Sequence, residues 1–335
     1  MKKLIEGFAD QLRLAIEIGL KSSFKNDNAE IRNIVIMGMG GSGTGADIVA
    51  GLNKDNLKIP LEVVKSYTLP KYVDKYTLFI ASSYSGNTEE TCICLKNAID
   101  KGANICIISG GGEIKRIAEE QNLNCISIPG DANCPRASVG LSFVSLLFVL
   151  YKYELIADGF IDEIESAAKL LEREQADIIL KSQKIAKILK SKSPIIYSDD
   201  TFQPIALRFQ QQINENSKQL AHINVFPEMN HNELVGWSAP VDMFSNRCLI
   251  YVQNHTAHDS IKKRMEICRE IFKEKCENII DIESKGSSLL EGYVYLIHFA
   301  DWISYYLALE NDVDPFPVEK IDYLKSRLVE TVKKA

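Results

Sequence analysis

The chain has 335 residues, 46% of them hydrophobic and 25% charged, and a formal net charge of −6 at pH 7. That is an ordinary globular balance, with length enough to bury a good core in one large or two smaller domains. The negative charge argues against a nucleic-acid or anionic-membrane surface, since both need clustered positive charge, but it leaves room for a small basic pocket around a phosphate.

The N-terminal stretch from Met1 to Phe24 begins basic, as a leader would, yet Glu6, Asp10, Arg13 and Glu17 interrupt any apolar run. Leu4, Phe8, Leu12, Ile16 and Leu20 instead mark one face of an amphipathic helix. Short apolar runs follow at Asn33–Met37, Thr77–Ser82, Asn104–Ser109 and, more weakly, Cys125–Ile128. Helical patterns fill about 44–52, 88–101 and 112–120 between them. Apolar strands alternating with helices predict a parallel sheet covered on both faces. Residues from about 138 to 190 then read as one long helical region whose middle is polar enough to lie outside.

Alternation restarts with strands at 194–197, 222–226, 248–252 and 278–282, and helices at about 206–219, 260–273, 289–309 and 318–333. The expected architecture is α/β: a unit over 1–150, a helical connection over 151–192 and a second similar unit over 193–335. No run reaches the roughly 18 apolar residues of a membrane span, so a cytoplasmic protein away from membranes is expected. The eight cysteines include no CxxC pair, which favours buried free thiols over a metal site.

Two loops carry chemistry. The first, Gly38-Met39-Gly40-Gly41-Ser42-Gly43-Thr44-Gly45, follows a strand and opens a helix, where free N–H groups suit an anion. Gly38, Gly40 and Gly43 also satisfy G-x-G-x-x-G, but the acid that a dinucleotide site needs about 20 residues on is missing. The segment there reads LEVVKSY, with Lys65 and no acid after Glu62. The second loop, Ser83-Tyr84-Ser85-Gly86-Asn87-Thr88, places three hydroxyls before a helix. Plain capping by Thr88 explains one hydroxyl; a bound phosphate explains Ser83, Ser85 and Thr88 together.

Strand, S-x-S-G-x-T, helix resembles the phosphate loop of the sugar isomerase (SIS) domain, and the upstream glycine loop resembles that family's as well. The resemblance places Gly41 and Ser42 against the sugar. Three further segments can be read on their own residues. In Cys134-Pro135-Arg136-Ala137-Ser138-Val139-Gly140, Arg136 at a helix mouth can steady negative charge, or can be a surface arginine. In Gln211-Gln212-Ile213-Asn214-Glu215-Asn216-Ser217-Lys218, Glu215 among amides can be a held base, or an exposed helix residue. In Pro227-Glu228-Met229-Asn230-His231-Asn232-Glu233, His231 can shift protons near neutral pH, or cap a loop.

Taken together these segments resemble the bifunctional phosphoglucose/phosphomannose isomerase family along nearly the whole chain. The resemblance implies two SIS domains, a homodimer, no metal and no cofactor. It implies aldose–ketose isomerisation of glucose 6-phosphate and mannose 6-phosphate to fructose 6-phosphate through a cis-enediolate. Glu215 is then the base and Arg136 the stabiliser of the intermediate. His231 opens the ring, from its own or the partner subunit, with a C-terminal lysine, Lys325 or alternatively Lys320. The family's threonine near the C-terminus has no match in DPFPVEK. The alternative expectation is a non-catalytic SIS sugar-phosphate sensor, although such proteins usually carry a DNA-binding domain and the first 30 residues here read as about one helix.

Overall fold

The structure, a computed structural model, describes residues 1–25, 30–130 and 134–332. The chain opens with α1 (Lys2–Glu6) and α2 (Phe8–Lys21), broken at Gly7. Their buried positions are Ile5, Phe8, Ala9, Leu12, Ala15 and Gly19, whereas Leu4 and Leu20 of the expected stripe are exposed. A strict i, i+4 ladder advances about 40° beyond a full turn at each step, so its ends rotate off the core.

The first sheet is built from β1 (Asn33–Met37), α3 (Gly40–Asn53), β2 (Leu61–Val64), β3 (Thr77–Ser83), α4 (Glu89–Asp100), β4 (Asn104–Ser109), α5 (Gly112–Glu120) and β5 (Asn124–Ser127). Its strands are all parallel, in the order β2-β1-β3-β4-β5. β3 is buried at every position, and β1 and β4 at all but their first. Burial on both faces is why these strands read as unbroken apolar runs. β2 escaped the sequence reading because it is a four-residue edge strand with only Val64 buried.

The long helical region is in fact three pieces. A 3₁₀ turn at Pro135–Ser138 leads into α6 (Val139–Lys152), and α7 (Phe160–Leu189) follows after a break. Glu154 in the break takes a left-handed backbone (φ 58°), which no helix continues through. α6 is buried from Val139 to Leu150. α7 was expected outside; only one face is, because Ile164, Ala167, Leu171, Ile178 and Ile185 pack inward.

The second sheet comes from β6 (Ser193–Asp199), α8 (Gln203–Ser217), β7 (His222–Phe226), α9 (Glu233–Gly236), β8 (Arg247–Gln253), α10 (Asp259–Lys273) and β9 (Ile279–Glu283), followed by α11 (Leu289–Glu310) and α12 (Glu319–Val332). It is parallel, in the order β7-β6-β8-β9. The expected end of the last helix, Lys333, lies outside the described residues.

One continuous apolar core joins the two sheets. It runs from Ile34 and Ile80 through Phe143, Ile164 and Trp302 to Ile196 and Ile250. α11 is its axle, packing on both α7 and α8. Separate clusters cover the outer faces, one under α4 and α5 and one around Tyr197, Phe226, Trp237 and Phe272. All eight cysteines are free thiols, six of them buried, and burial pushes the Cys248 thiol up to about 12. Among the described residues no helix is long and apolar enough to cross a membrane.

Candidate active site

The carboxyl ends of β1 and β3 lie side by side, and their loops touch. Tyr84 N–H donates to Ser42 Oγ at 3.3 Å, tying the hydroxyl loop to the glycine loop. The hydroxyl loop turns on Gly86, whose φ of +70° favours glycine and whose Cβ, if it had one, would overlap the Gly111 carbonyl. Bonds from behind hold it: Gly110 N–H to the Tyr84 carbonyl, Ile114 N–H to the Gly86 carbonyl and Glu113 N–H to Asn87 Oδ1. Such bracing fixes donors before a ligand arrives.

The three hydroxyls are not equivalent. Ser83 is buried and turns inward, accepting from Gly86 N–H at 3.1 Å and lying 3.0 Å from Thr88 Oγ1. Thr88 holds the N-cap position of α4, but its side chain caps no amide of that helix. Its hydroxyl is engaged by Ser83, so capping does not account for it. Ser85 is exposed at the tip, accepting from Asn87 N–H at 3.3 Å. Ser85 is therefore the exposed hydroxyl, with Ser83 and the half-buried Thr88 paired behind it, at a helix N-terminus suited to an anion.

Arg136 sits in the 3₁₀ turn before α6, against the glycine loop: a Cβ on Gly41 would lie 3.3 Å from the Pro135 carbonyl oxygen. The arginine is buried, and its donors are largely committed. Nε donates to Asn216 Oδ1 at 2.8 Å, and Nη2 to the carbonyls of Pro315 at 2.6 Å and Phe316 at 2.9 Å. Among the described residues no hydrogen bond engages Nη1, an edge that can meet a ligand. Nε also lies 3.8 Å from Glu215 Oε2.

Glu215 occupies the last turn of α8, its side chain 30% exposed. Around it the polar run is buried, against the surface reading that sequence alone allowed. Gln212, Asn216 and Ser217 are almost inaccessible, as is Arg208 earlier in the helix. They form a network with α11: Arg208 pairs with Asp301 at 2.7 Å, Gln212 donates to Asp301 at 2.9 Å, and Asn216 donates to Ser304 Oγ at 2.9 Å. Arg208 also donates to the Arg136 carbonyl at 3.3 Å. Burial pushes the Asp301 carboxyl up while Arg208 pulls it back. On the other side of α8, Thr44 Oγ1 donates to Gln211 Oε1 at 2.9 Å, locking the helix to the glycine loop.

The structure thus brings together Gly41, Ser42, Ser83, Ser85, Thr88, Arg136 and Glu215. Among the described residues His231, Lys320 and Lys325 make no hydrogen bond or ion pair with any of these. His231 ends a 3₁₀ turn at Glu228–His231 beyond β7 and is exposed. The segment behind it is anchored by buried Met229 and Trp237. Lys320 and Lys325 lie on α12, whose side chains from Glu319 to Leu328 are all exposed. Among the described residues no group of three or more His, Cys, Asp or Glu is placed to hold a metal ion. An open cavity of about 620 Å³ lies elsewhere, lined by Asp47, Lys54, Asp200, Pro204 and Leu207, away from Arg136 and Glu215.

Sequence reasoning missed Arg208, Asp301 and Ser304, which orient Arg136 and the last turn of α8. Arg208 and Asp301 did carry a signal: each is a charge inside an otherwise apolar helical stretch. The carbonyls of Pro315 and Phe316 carried none, because a backbone acceptor is independent of residue type.

Known proteins resemble this chain in fold and in sequence. The family model of the bacterial phospho-glucose isomerase C-terminal SIS domain matches residues 180–328. Among solved structures, the C-terminal domain of glucosamine-fructose-6-phosphate aminotransferase from Francisella tularensis superposes with a TM-score of 0.74 at 16% identity, covering 94% of this chain and 97% of that one. Glucosamine-6-phosphate deaminase from Thermotoga maritima gives 0.68 at 14% identity, covering 93% and 96%. At such identities these show the fold alone. The bifunctional phosphoglucose/phosphomannose isomerase of Caldicellulosiruptor bescii is 39% identical over 98% of this chain and 99% of its own length. The protein of the same name from Aquifex aeolicus is 33% identical over 97% of each. Similarity of this extent, end to end, means that the chain belongs to the bifunctional phosphoglucose/phosphomannose isomerase family.

Proposed function

We propose that the chain interconverts glucose 6-phosphate and mannose 6-phosphate with fructose 6-phosphate, and that Glu215 carries the proton. The observation that bears this reading is the pairing of Arg136 with Glu215 at 3.8 Å, beside a braced hydroxyl loop tied to Ser42. The loop at 83–88 holds the phosphate, so its binding energy aligns C1 and C2 with the carboxylate. Glu215 takes the proton from C2 and returns it to C1 through a cis-enediolate. The free Nη1 edge of Arg136 steadies the oxyanion that forms. A base reaching C2 of either configuration serves both aldoses.

Ring opening needs a proton donated to the ring oxygen and one removed from the anomeric hydroxyl. His231 and Lys325, with Lys320 as the alternative, carry the proton-exchanging nitrogens that step needs. Both are exposed and bonded to no other site residue among the described residues, so we assign them to a site completed by a second copy of the chain. The exposed side chains of Val235, Met243, Tyr323 and Leu324 support a homodimer there. Residues 1–150 are the phosphate-holding unit and 193–335 the base-bearing one.

The test is incubation of the protein with fructose 6-phosphate, with and without a chelator. Formation of both aldose phosphates, undiminished by chelation, is expected. Glu215→Gln should lose roughly 10²–10⁴-fold in turnover while still binding hexose 6-phosphate. Full activity in that variant refutes the base; an inert wild-type protein that binds the sugar supports a sensor. A D-glucosamine-6-phosphate 4-epimerase from Sulfolobus acidocaldarius is 32% identical over 62% of this chain. Glucosamine 6-phosphate therefore belongs in the same assay.

A further inference from the structure

The end of α8 holds a charged group that this scheme leaves unused. α8 stops at Ser217, and Lys218 follows in the left-handed region (φ 54°, ψ 34°). Glycine is the usual residue in that conformation, because a Cβ crowds the backbone there. A long cationic side chain kept in a backbone conformation it disfavours points to a use for its head group. That head group folds back over the helix end, where Nζ donates to the Glu215 carbonyl at 2.7 Å. A cation at a helix C-terminus is favourable, and this one, on an exposed side chain, has the Glu215 carboxylate among the charges around it.

Four charged groups face Lys218: Arg136 from the turn before α6, Glu215 from α8, Asp314 from the segment after α11 and Glu319 from the start of α12. Partial removal from water lowers the Lys218 pKa first and Arg136 next, with the three carboxylates opposing. Glu215 in turn is faced by Arg136 and Lys218, and by the buried Cys134 thiol. Arg136 is already tied to Asn216 and two carbonyls, so it cannot follow the carboxylate through a cycle of protonation.

We propose that Lys218 is a positioning residue for the proton transfer: it clamps the last turn of α8 and supplies a second positive charge beside the Glu215 carboxylate. This rests on the reading of Glu215 as the base. Removing the charge favours the protonated carboxyl, so the acid limb of the kcat/KM profile moves to higher pH.

The experiment is a pH profile of fructose 6-phosphate isomerisation for Lys218→Met, Lys218→Arg and Lys218→Gly, with Glu215→Gln alongside. Lys218→Met should move the acid limb up by roughly half to one pH unit and lower kcat more than it alters KM. Lys218→Arg should return the limb toward its original position. Lys218→Gly relieves the left-handed strain, so it should melt no lower than the parent protein yet show the same displaced limb. A group that merely ends the helix predicts an unmoved limb in Lys218→Gly, and that result overturns the proposal. An inert Glu215→Gln beside an unmoved Lys218→Met profile overturns the Lys218 role alone. An active Glu215→Gln removes the base, and this inference with it.

Discussion

The ends of the two sheets share one topology and differ in chemistry. Within their four equivalent strands the orders are β2-β1-β3-β4 and β7-β6-β8-β9, so β6 corresponds to β1 and β8 to β3. After β1 and β3 the first half has glycines and hydroxyls. After β6 the second half has Asp199, fully buried, whose Oδ1 accepts from Phe202 N–H at 3.0 Å and whose Oδ2 accepts from Asn254 Nδ2 at 2.8 Å. Asn254, just past β8, turns its own Oδ1 onto Thr256 N–H at 3.0 Å and Thr256 Oγ1 at 2.8 Å. A carboxylate supplied by the chain thus stands at the entry to α8, where the first half has glycines and hydroxyls at the entry to α3 and α4. Parallel sheets place a crevice outside their carboxyl ends, but side chains decide whether it stays open. In the second half Asp199 and Asn254 fill that crevice, and the proposed base, Glu215, stands at the far end of α8.

This contrast can be strained in four further places besides the Glu215 variant. The largest effect on stability is expected at the seam. Asp301→Ala leaves Arg208 buried and unpaired, which should cost about 3–5 kcal/mol, read as a fall in the urea midpoint. A loss under 1 kcal/mol would mean that α8 is not held to α11 by this pair.

His298 lies one turn earlier on α11, stacked on Phe8 and accepting from Trp302 Nε1 at 3.1 Å. Burial lowers its pKa to about 4. The unfolded chain takes up that proton near pH 6.5, so from about 6.5 down to 4 the unfolded state binds more protons and stability falls. The loss should approach roughly 3 kcal/mol below pH 4. It should be absent in His298→Gln, which keeps an acceptor for Trp302 but cannot gain the charge; equal pH slopes in the two proteins would contradict this.

Asp199→Ala tests the closed crevice. Losing a carboxylate bonded to an amide and to Asn254 should cost roughly 1.5–3 kcal/mol. Because Glu215 lies at the opposite end of the same helix, turnover of the folded protein should change little. Ser85→Ala tests the open one and should have the smallest effect: removing a single exposed hydroxyl should raise KM several-fold, worth about 1 kcal/mol, with kcat nearly unchanged. If Asp199→Ala raised KM more than Ser85→Ala did, the assignment of open and closed ends would be reversed.

Much of this was legible beforehand. Strands β1 and β4 fall where the apolar runs placed them, because burial on both faces leaves its mark on nearly every residue. The hydroxyl loop was legible because a phosphate needs donors clustered over a few consecutive residues. The break at 153–159 was not, since helix propensity continues through it, and neither was the inward side of α7. The buried polar run of α8 was the hardest: Gln212 and Asn216 look like surface residues until Asp301 and Ser304, nearly ninety positions away, satisfy them.

The sequence by itself determined the alternation of strands and helices and the glycine and hydroxyl loops that follow β1 and β3, because each depends on residues close together in the chain. Only the tertiary structure decided which donors of Arg136 are committed, that Ser83 pairs with Thr88 while Ser85 is exposed, and that Asp199 fills the crevice after β6. Those outcomes depend on partners distant in sequence, whose hydrogen bonds become worth making only once water has been excluded from between them.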